Sequence, residues 1–177
     1  MPATKQTPIT QFAQVLDDNL GRTGAQVRTA TEGDFEYILD RSRKWSNEQG
    51  FIPAKGMELL ITEGRGLILE VNGDRAGYLL TSGGIRRPIV VRHNTIEEDL
   101  WSHGFGTLLM RAVLKWSLWS RRHFVLVRTR ADLVRQTAIN TRLRGFVLGQ
   151  DKSIGVREQP VNIWSVPIVP TRFAESE

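Results

Sequence analysis

A mixed α/β layer fold, with elements in the order β-α-α-β-β-β-α-β-α-β-β, is predicted by three observations. Short apolar runs alternate with polar, turn-rich segments along the chain. Two of these runs, Leu67 to Val71 and Ala76 to Thr81, are joined by Asn72-Gly73-Asp74, residue types that tolerate the positive φ of a tight hairpin. From Phe105 onward, Leu108, Leu109, Ala112, Val113, Trp116 and Trp119 recur at the i, i+3, i+4 spacing of a helix with one buried face.

Residues 1–24 read as an extension, in which Ile9, Phe12, Leu16 and Leu20 form a short amphipathic helix ending near Gly21. It is a candidate to pack on the domain or on a second subunit of a homodimer. The domain proper spans 25–169, and 170–177 is a tail. Within the domain, Gln26 to Ala30 is a strand, Thr31 to Asp34 a helix start and Phe35 to Leu39 the helix body. Glu32 and Asp34 suit the positive end of that helix. Trp45 and Gly50-Phe51-Ile52-Pro53 mark a loop, and Met57 to Ile61 a second short helix closed by Gly64 and Gly66. The hairpin follows. Pro88-Ile89-Val90-Val91 then opens an extended run to about Ile96, before the long helix. His123 to Thr129 is a strand, Asp132 to Leu143 a helix capped by Gly145, and Phe146 to Gly149 with Val161 to Val166 complete the sheet.

The 177 residues suffice for one sizeable core and are too few for two ordinary domains. Apolar residues at 40% and charged residues at 24% exclude a disordered chain. No apolar run approaches the roughly 20 residues of a membrane span, and no signal-peptide core opens the chain, so a cytoplasmic protein is expected. With no cysteine, disulfides, thiolate ligands and cysteine nucleophiles are excluded, and three histidines argue against a histidine metal site. The net charge of +5 sits in clusters: Arg41, Arg43 and Lys44; Arg86 and Arg87; Arg121 and Arg122; Arg128 and Arg130; Arg142 and Arg144. Such a field suits nucleic acid, tRNA, an acidic protein or a phosphorylated cofactor as partner, and solvated helix faces produce the same counts.

Chemistry concentrates between the run ending at Ile96 and the long helix. Here Trp101-Ser102-His103-Gly104-Phe105-Gly106-Thr107 places two glycines at the helix start, where free backbone N–H groups and the helix dipole attract phosphate. A third glycine and a downstream acidic residue are missing, so the dinucleotide fingerprint fails, as does the Walker pattern.

With this element order, Trp101-Ser102-His103-Gly104-Phe105-Gly106 resembles the cofactor motif Gln/Arg-x-x-Gly-x-Gly/Ala of the GNAT family of acetyl-CoA-dependent N-acetyltransferases. Arg144-Gly145-Phe146 resembles that family's closing Gly-Phe, with Ala138 and Ile139 at its small and apolar places. The resemblance spans about Gln26 to Ile168. It implies a mixed, mostly antiparallel central sheet flanked by helices, acetyl-CoA as co-substrate, and a small-molecule or peptide amine as acceptor. Two positions depart from the pattern: Trp101 replaces the basic or amide residue opening the motif, and Thr141 replaces a tyrosine that protonates the departing thiolate. Glu97, Glu98 and Asp99 also precede the cradle, where they oppose an anion unless they point away.

By the resemblance, the amine attacks the thioester directly in a ternary complex. An amine of pKa about 10.4 needs a base. His93 in the strand is the first candidate, with Glu97 and Glu98 second; a hydrogen-bonded strand histidine and solvated turn carboxylates are the structural alternatives. Backbone N–H groups of Ser102, His103, Gly104, Phe105, Gly106 and Thr107 hold the pyrophosphate, helped by the Thr107 hydroxyl. The Ile96 backbone polarises the thioester carbonyl. Asn140 positions a water that stands in for the acid missing at Thr141, and Trp45, Phe51 and Ile52 border the acceptor. Two other readings stay open: acyl transfer to a nucleic-acid-linked amine such as an aminoacyl-tRNA or modified base, and an inactive binding or regulatory module.

Overall fold

Seven strands form one sheet in the order β1-β2-β3-β4-β5-β7-β6, and every neighbouring pair is antiparallel except β4 with β5. The computed structural model describes residues 24–83, 87–119, 122–152 and 160–168. The expected N-terminal helix and the C-terminal tail lie outside them, as do Arg86 and Arg121. The strands are β1 (Ala25–Thr29), β2 (Gly66–Val71), β3 (Asp74–Ser82), β4 (Ile89–Ile96), β5 (Phe124–Arg130), β6 (Phe146–Lys152) and β7 (Pro160–Pro167). The helices are α1 (Phe35–Lys44), α2 (Ser46–Gln49), α3 (Ala54–Thr62), α4 (Phe105–Trp119) and α5 (Val134–Arg142). Apart from α2, which occupies part of the segment read as a loop, this is the expected order.

The hairpin between β2 and β3 is tighter than expected. Val71 pairs with Asp74, so only Asn72 and Gly73 form the loop, with φ of 54° and 91°. Along β2 and β3 successive side chains enter different cores. Leu67, Leu69 and Leu79 join the cluster around α4, whereas Ile68, Tyr78 and Leu80 join Ile38, Met57 and Ile61 from α1 and α3. The sheet is therefore covered on both faces, and α4 is buried more broadly than its periodicity alone implies: Met110 and Leu114 are enclosed with Leu108, Leu109, Ala112 and Val113.

Asp34 lies at the start of α1, as expected, and is fully buried there. Its carboxylate accepts two hydrogen bonds from Arg28, at 2.7 and 2.9 Å, one from Arg75 Nε at 2.8 Å, and two from Thr31. Burial alone would raise its pKa. These donors outweigh burial and hold the carboxyl well below the ordinary range, tying β1 and β3 to the entry of α1.

Two features of the sheet create the site. In β4, Leu80 of β3 pairs with His93 and Thr81 with Val91, so Arg92 is an extra residue at a β-bulge. The parallel ladder between β4 and β5 has only three pairs, from Ile89↔Val125 to Val91↔Val127, and it stops where the bulge begins. Beyond that point β4 continues along β3 while β5 continues along β7 to Arg130↔Val161. The two strands splay and open a cleft between them.

Gly145 does not adopt the left-handed conformation expected of a helix cap. Arg144 does, with φ 57°, while the Gly145 N–H donates to the Asn140 carbonyl at 2.8 Å and the Arg144 N–H to the Thr141 carbonyl at 2.8 Å, the bond pattern of a Schellman motif. Close approach explains the glycine instead. A Cβ there would lie 2.9 Å from the Asn140 oxygen and 3.1 Å from Val166 Cγ2.

Candidate active site

The splayed strands enclose a cleft of about 610 Å3. Its walls come from β4 beyond the bulge, from Val127 to Thr129 of β5, from Glu48 and Gln49 of α2, from the start of α4, and from one side of α5. Gln49 and Thr95 join α2 to β4 by two side-chain hydrogen bonds, at 2.6 and 2.9 Å.

The floor of the cleft is the turn into α4. Ser102 and Gly104 have φ of 69° and 87°, and a Cβ on Gly104 would meet nothing within 4 Å, so the backbone there faces open space. The first helical bond runs from the Leu108 N–H to the Gly104 carbonyl at 3.1 Å. The N–H groups of Phe105, Gly106 and Thr107 thus precede the helix's own ladder, and all three residues line the cleft. Gly106 serves a different purpose: its Cβ would come within 2.8 Å of Ile139 Cδ1, so its absence lets α5 pack against the start of α4. Asn94 anchors the strand to this turn through Nδ2 to the Gly106 carbonyl, 3.2 Å, and its buried Oδ1 has no hydrogen-bond partner. An orphaned acceptor in the wall, with a glycine turn below it, fits an amide-bearing diphosphate ligand such as CoA.

Of the candidate cofactor residues, Ile96, Trp101, Ser102, Gly104, Phe105, Gly106 and Thr107 line the cleft and His103 does not. His103 is exposed, with Nδ1 3.0 Å from the Trp101 carbonyl and its ring stacked on Phe105. Trp101 donates its indole N–H to the Ile96 carbonyl at 2.9 Å. The ring also packs against Trp45, centroids 5.6 Å apart, and carries the Arg135 guanidinium 3.4 Å above its centre.

The residues expected to do acid–base work lie elsewhere. His93 is 2% exposed and points into the core beneath α1 and α3, where Nδ1 lies 3.1 Å from Tyr78 Oη; burial pushes its pKa down to about 4. Glu97 accepts from Tyr37 Oη at 2.8 Å and Arg41 Nε at 2.6 Å, and Glu98 pairs with Lys44 at 2.5 Å. Both carboxylates are clamped to α1 and outside the cleft lining, so neither opposes an anion at the cradle. Asn140 is fully buried, bonded to Thr129 Oγ1 and Gln136, and Thr141 is exposed and not part of the cleft lining. Of the acceptor candidates, Trp45 lines the cleft, Ile52 is buried in the second core and Phe51 is 75% exposed.

Glu48, Gln49, Asn94, Thr95 and Arg135 line the cleft and were not singled out by sequence reasoning. The signal for Glu48 and Gln49 was their place between Trp45 and Gly50, a stretch too short for helical periodicity to register. The arginine clusters are partly internal to the surface: Arg41 binds Asp40 and Glu97, Arg128 binds Asp151, and Arg130 binds Asp132.

No protein-family model matches the sequence, and neither does any curated protein. Solved structures do match. Ard1 from Thermoplasma volcanium superposes with a TM-score of 0.73 at 14% identity, over 82% of this chain and 99% of that one. An acetyltransferase of the GNAT family from Streptococcus pneumoniae gives 0.65 at 15% identity, over 82% and 99%. Spermidine N-acetyltransferase from Vibrio cholerae, in complex with CoA and spermine, gives 0.68 at 14% identity, over 85% and 98%. The fold of this chain is that of the GNAT acetyltransferases. Among the described residues no helix is long and apolar enough to cross a membrane.

Proposed function

We propose that this chain is an N-acetyltransferase that moves an acetyl group from acetyl-CoA to a primary amine by direct attack in a ternary complex. The observation that carries this reading is the cleft between β4 and β5 ending on the Gly104 turn, where the residues bearing the helix-start N–H groups line open space and Asn94 in the wall carries a buried, unpartnered Oδ1. The known structures that share the fold include one solved with CoA.

Acetyl-CoA supplies the thioester. The amine nitrogen bonds to its carbonyl carbon, the C–S bond breaks, and the thiolate leaves and takes up a proton while the amine loses one. Two carboxylates line the cleft. Asp132 is held in a salt bridge by Arg130, whereas Glu48 interacts with the same guanidinium only at longer range and makes no side-chain hydrogen bond or salt bridge among the described residues. We assign the base role to Glu48, directly or through one water, because a base must reach the proton it removes. The Gln49–Thr95 pair holds α2 against β4 and so sets the position of Glu48. Proton return to the thiolate falls to water, since Thr141 and Asn140 lie outside the cleft lining.

Calorimetric titration of acetyl-CoA and CoA, with Gly104→Glu as the blocked control, followed by transfer assays on amines, polyamines, peptides and charged tRNA, tests the reading. Binding that the control abolishes, together with N-acetyl product, is the expected result. Binding without transfer to any amine would mark a binding module, and no binding by the wild type at millimolar ligand would overturn the assignment.

A further inference from the structure

Resting on the reading of the cleft as a CoA site, we propose that Arg135 of α5 supplies the diphosphate contact that the first position of the glycine turn lacks, with Trp101 as the platform that presents it. Position 101 holds an indole, which has one N–H donor, and that donor is spent on the Ile96 carbonyl at 2.9 Å. Trp101 therefore offers the turn no polar group. Its face holds the Arg135 guanidinium at 3.4 Å, so a planar cation from another element lies against the residue that opens the turn, and both side chains line the cleft.

Two physical features argue that the guanidinium is placed for an anion. Arg135 has no ion-pair partner among the described residues, although Arg128 and Arg130 of β5 are paired with Asp151 and Asp132. It also sits in the first turn of α5, which contains no acidic residue, and there the helix dipole disfavours a cation. A bound diphosphate offsets both. Stacking on tryptophan leaves the guanidinium edge and its N–H fork free for phosphate oxygens. The fixed indole, bonded to β4 and packed on Trp45, limits the conformations that Arg135 explores and lowers the ordering cost on binding. Positive charge at this turn is thus delivered by α5 across the cleft and not from the turn itself.

The test is calorimetric titration of CoA, 3′-dephospho-CoA and pantetheine into the wild type, Arg135→Ala, Arg135→Lys and Trp101→Leu. Arg135 is exposed, and matching melting temperatures verify that its variants fold. The expected result is that Arg135→Ala weakens CoA and 3′-dephospho-CoA equally, by about tenfold or more, and leaves pantetheine unchanged. Arg135→Lys recovers less than half of the loss on a logarithmic scale, because an ammonium neither stacks nor forks. Trp101→Leu weakens CoA in the wild type and adds less than twofold in the Arg135→Ala background. CoA binding by Arg135→Ala within twofold of the wild type would overturn the proposal, as would a loss confined to CoA, which would place Arg135 at the 3′-phosphate. Failure of the wild type to bind CoA at all would instead remove the underlying reading of the cleft.

Discussion

Tyr78 Oη and His93 Nδ1 lie 3.1 Å apart inside the core covered by α1 and α3, away from the cleft, and burial there holds the histidine neutral. The folded pKa of about 4 is below the ordinary value of 6.5. Between these values the unfolded chain binds a proton that the folded chain does not. Stability from this group is therefore fully present above about pH 6.5 and is lost as pH falls toward 4, by at most about 3 kcal/mol. Urea midpoints measured at pH 7 and pH 4.5 should show a smaller acid loss in His93→Gln than in the wild type. The pH profile of acetyl transfer should keep its shape in that variant, and a change there would return His93 to the chemistry.

Glu48→Gln should lower kcat by about 100-fold or more at neutral pH, the usual contribution of a positioned base, with CoA affinity unchanged. Glu97→Gln should do the opposite. It disturbs the contacts of Tyr37 and Arg41 and lowers the melting temperature while leaving kcat within a few-fold.

Gly106→Ala should destabilise the fold by no more than about 1 kcal/mol, because its Cβ clashes only with Ile139 Cδ1, the end of a side chain that can turn aside. Ile139→Val in the same chain removes that atom and should recover most of the loss in denaturant unfolding. No such rescue is expected for Gly104→Ala, whose cost of about 1 to 2 kcal/mol comes from the backbone at φ 87°.

Thr141→Ala should leave transfer within twofold of the wild type, since the side chain is exposed outside the cleft. Asn140→Ala should cost about 1 to 3 kcal/mol of stability by removing the buried partner of Thr129, and steady-state kinetics on the folded fraction should change little.

Element order, the hairpin and the glycine turn were legible in the sequence because each rests on local physics. Short apolar runs bounded by turn residues pack as strands, Asn72-Gly73 accepts positive φ at low cost, and the apolar face of α4 repeats at helical spacing. The candidate cofactor residues from Ile96 to Thr107 follow one another in the chain, so finding the turn was enough to find most of them.

Which groups share the cleft was decided by the tertiary structure alone. One bulged residue, Arg92, bends β4 away from β5 and opens the site, and alternation along β4 then sends His93 into the core and Asn94 to the cleft. Glu97 and Glu98 turn to α1 because Arg41 and Lys44 wait there, from more than fifty positions earlier in the sequence. Glu48 and Arg135, on separate helices, line the same opening only because α2 and α5 pack on the same cleft. Sequence determines local backbone preference, but strand register and long-range charge pairing choose which side of the sheet each side chain serves.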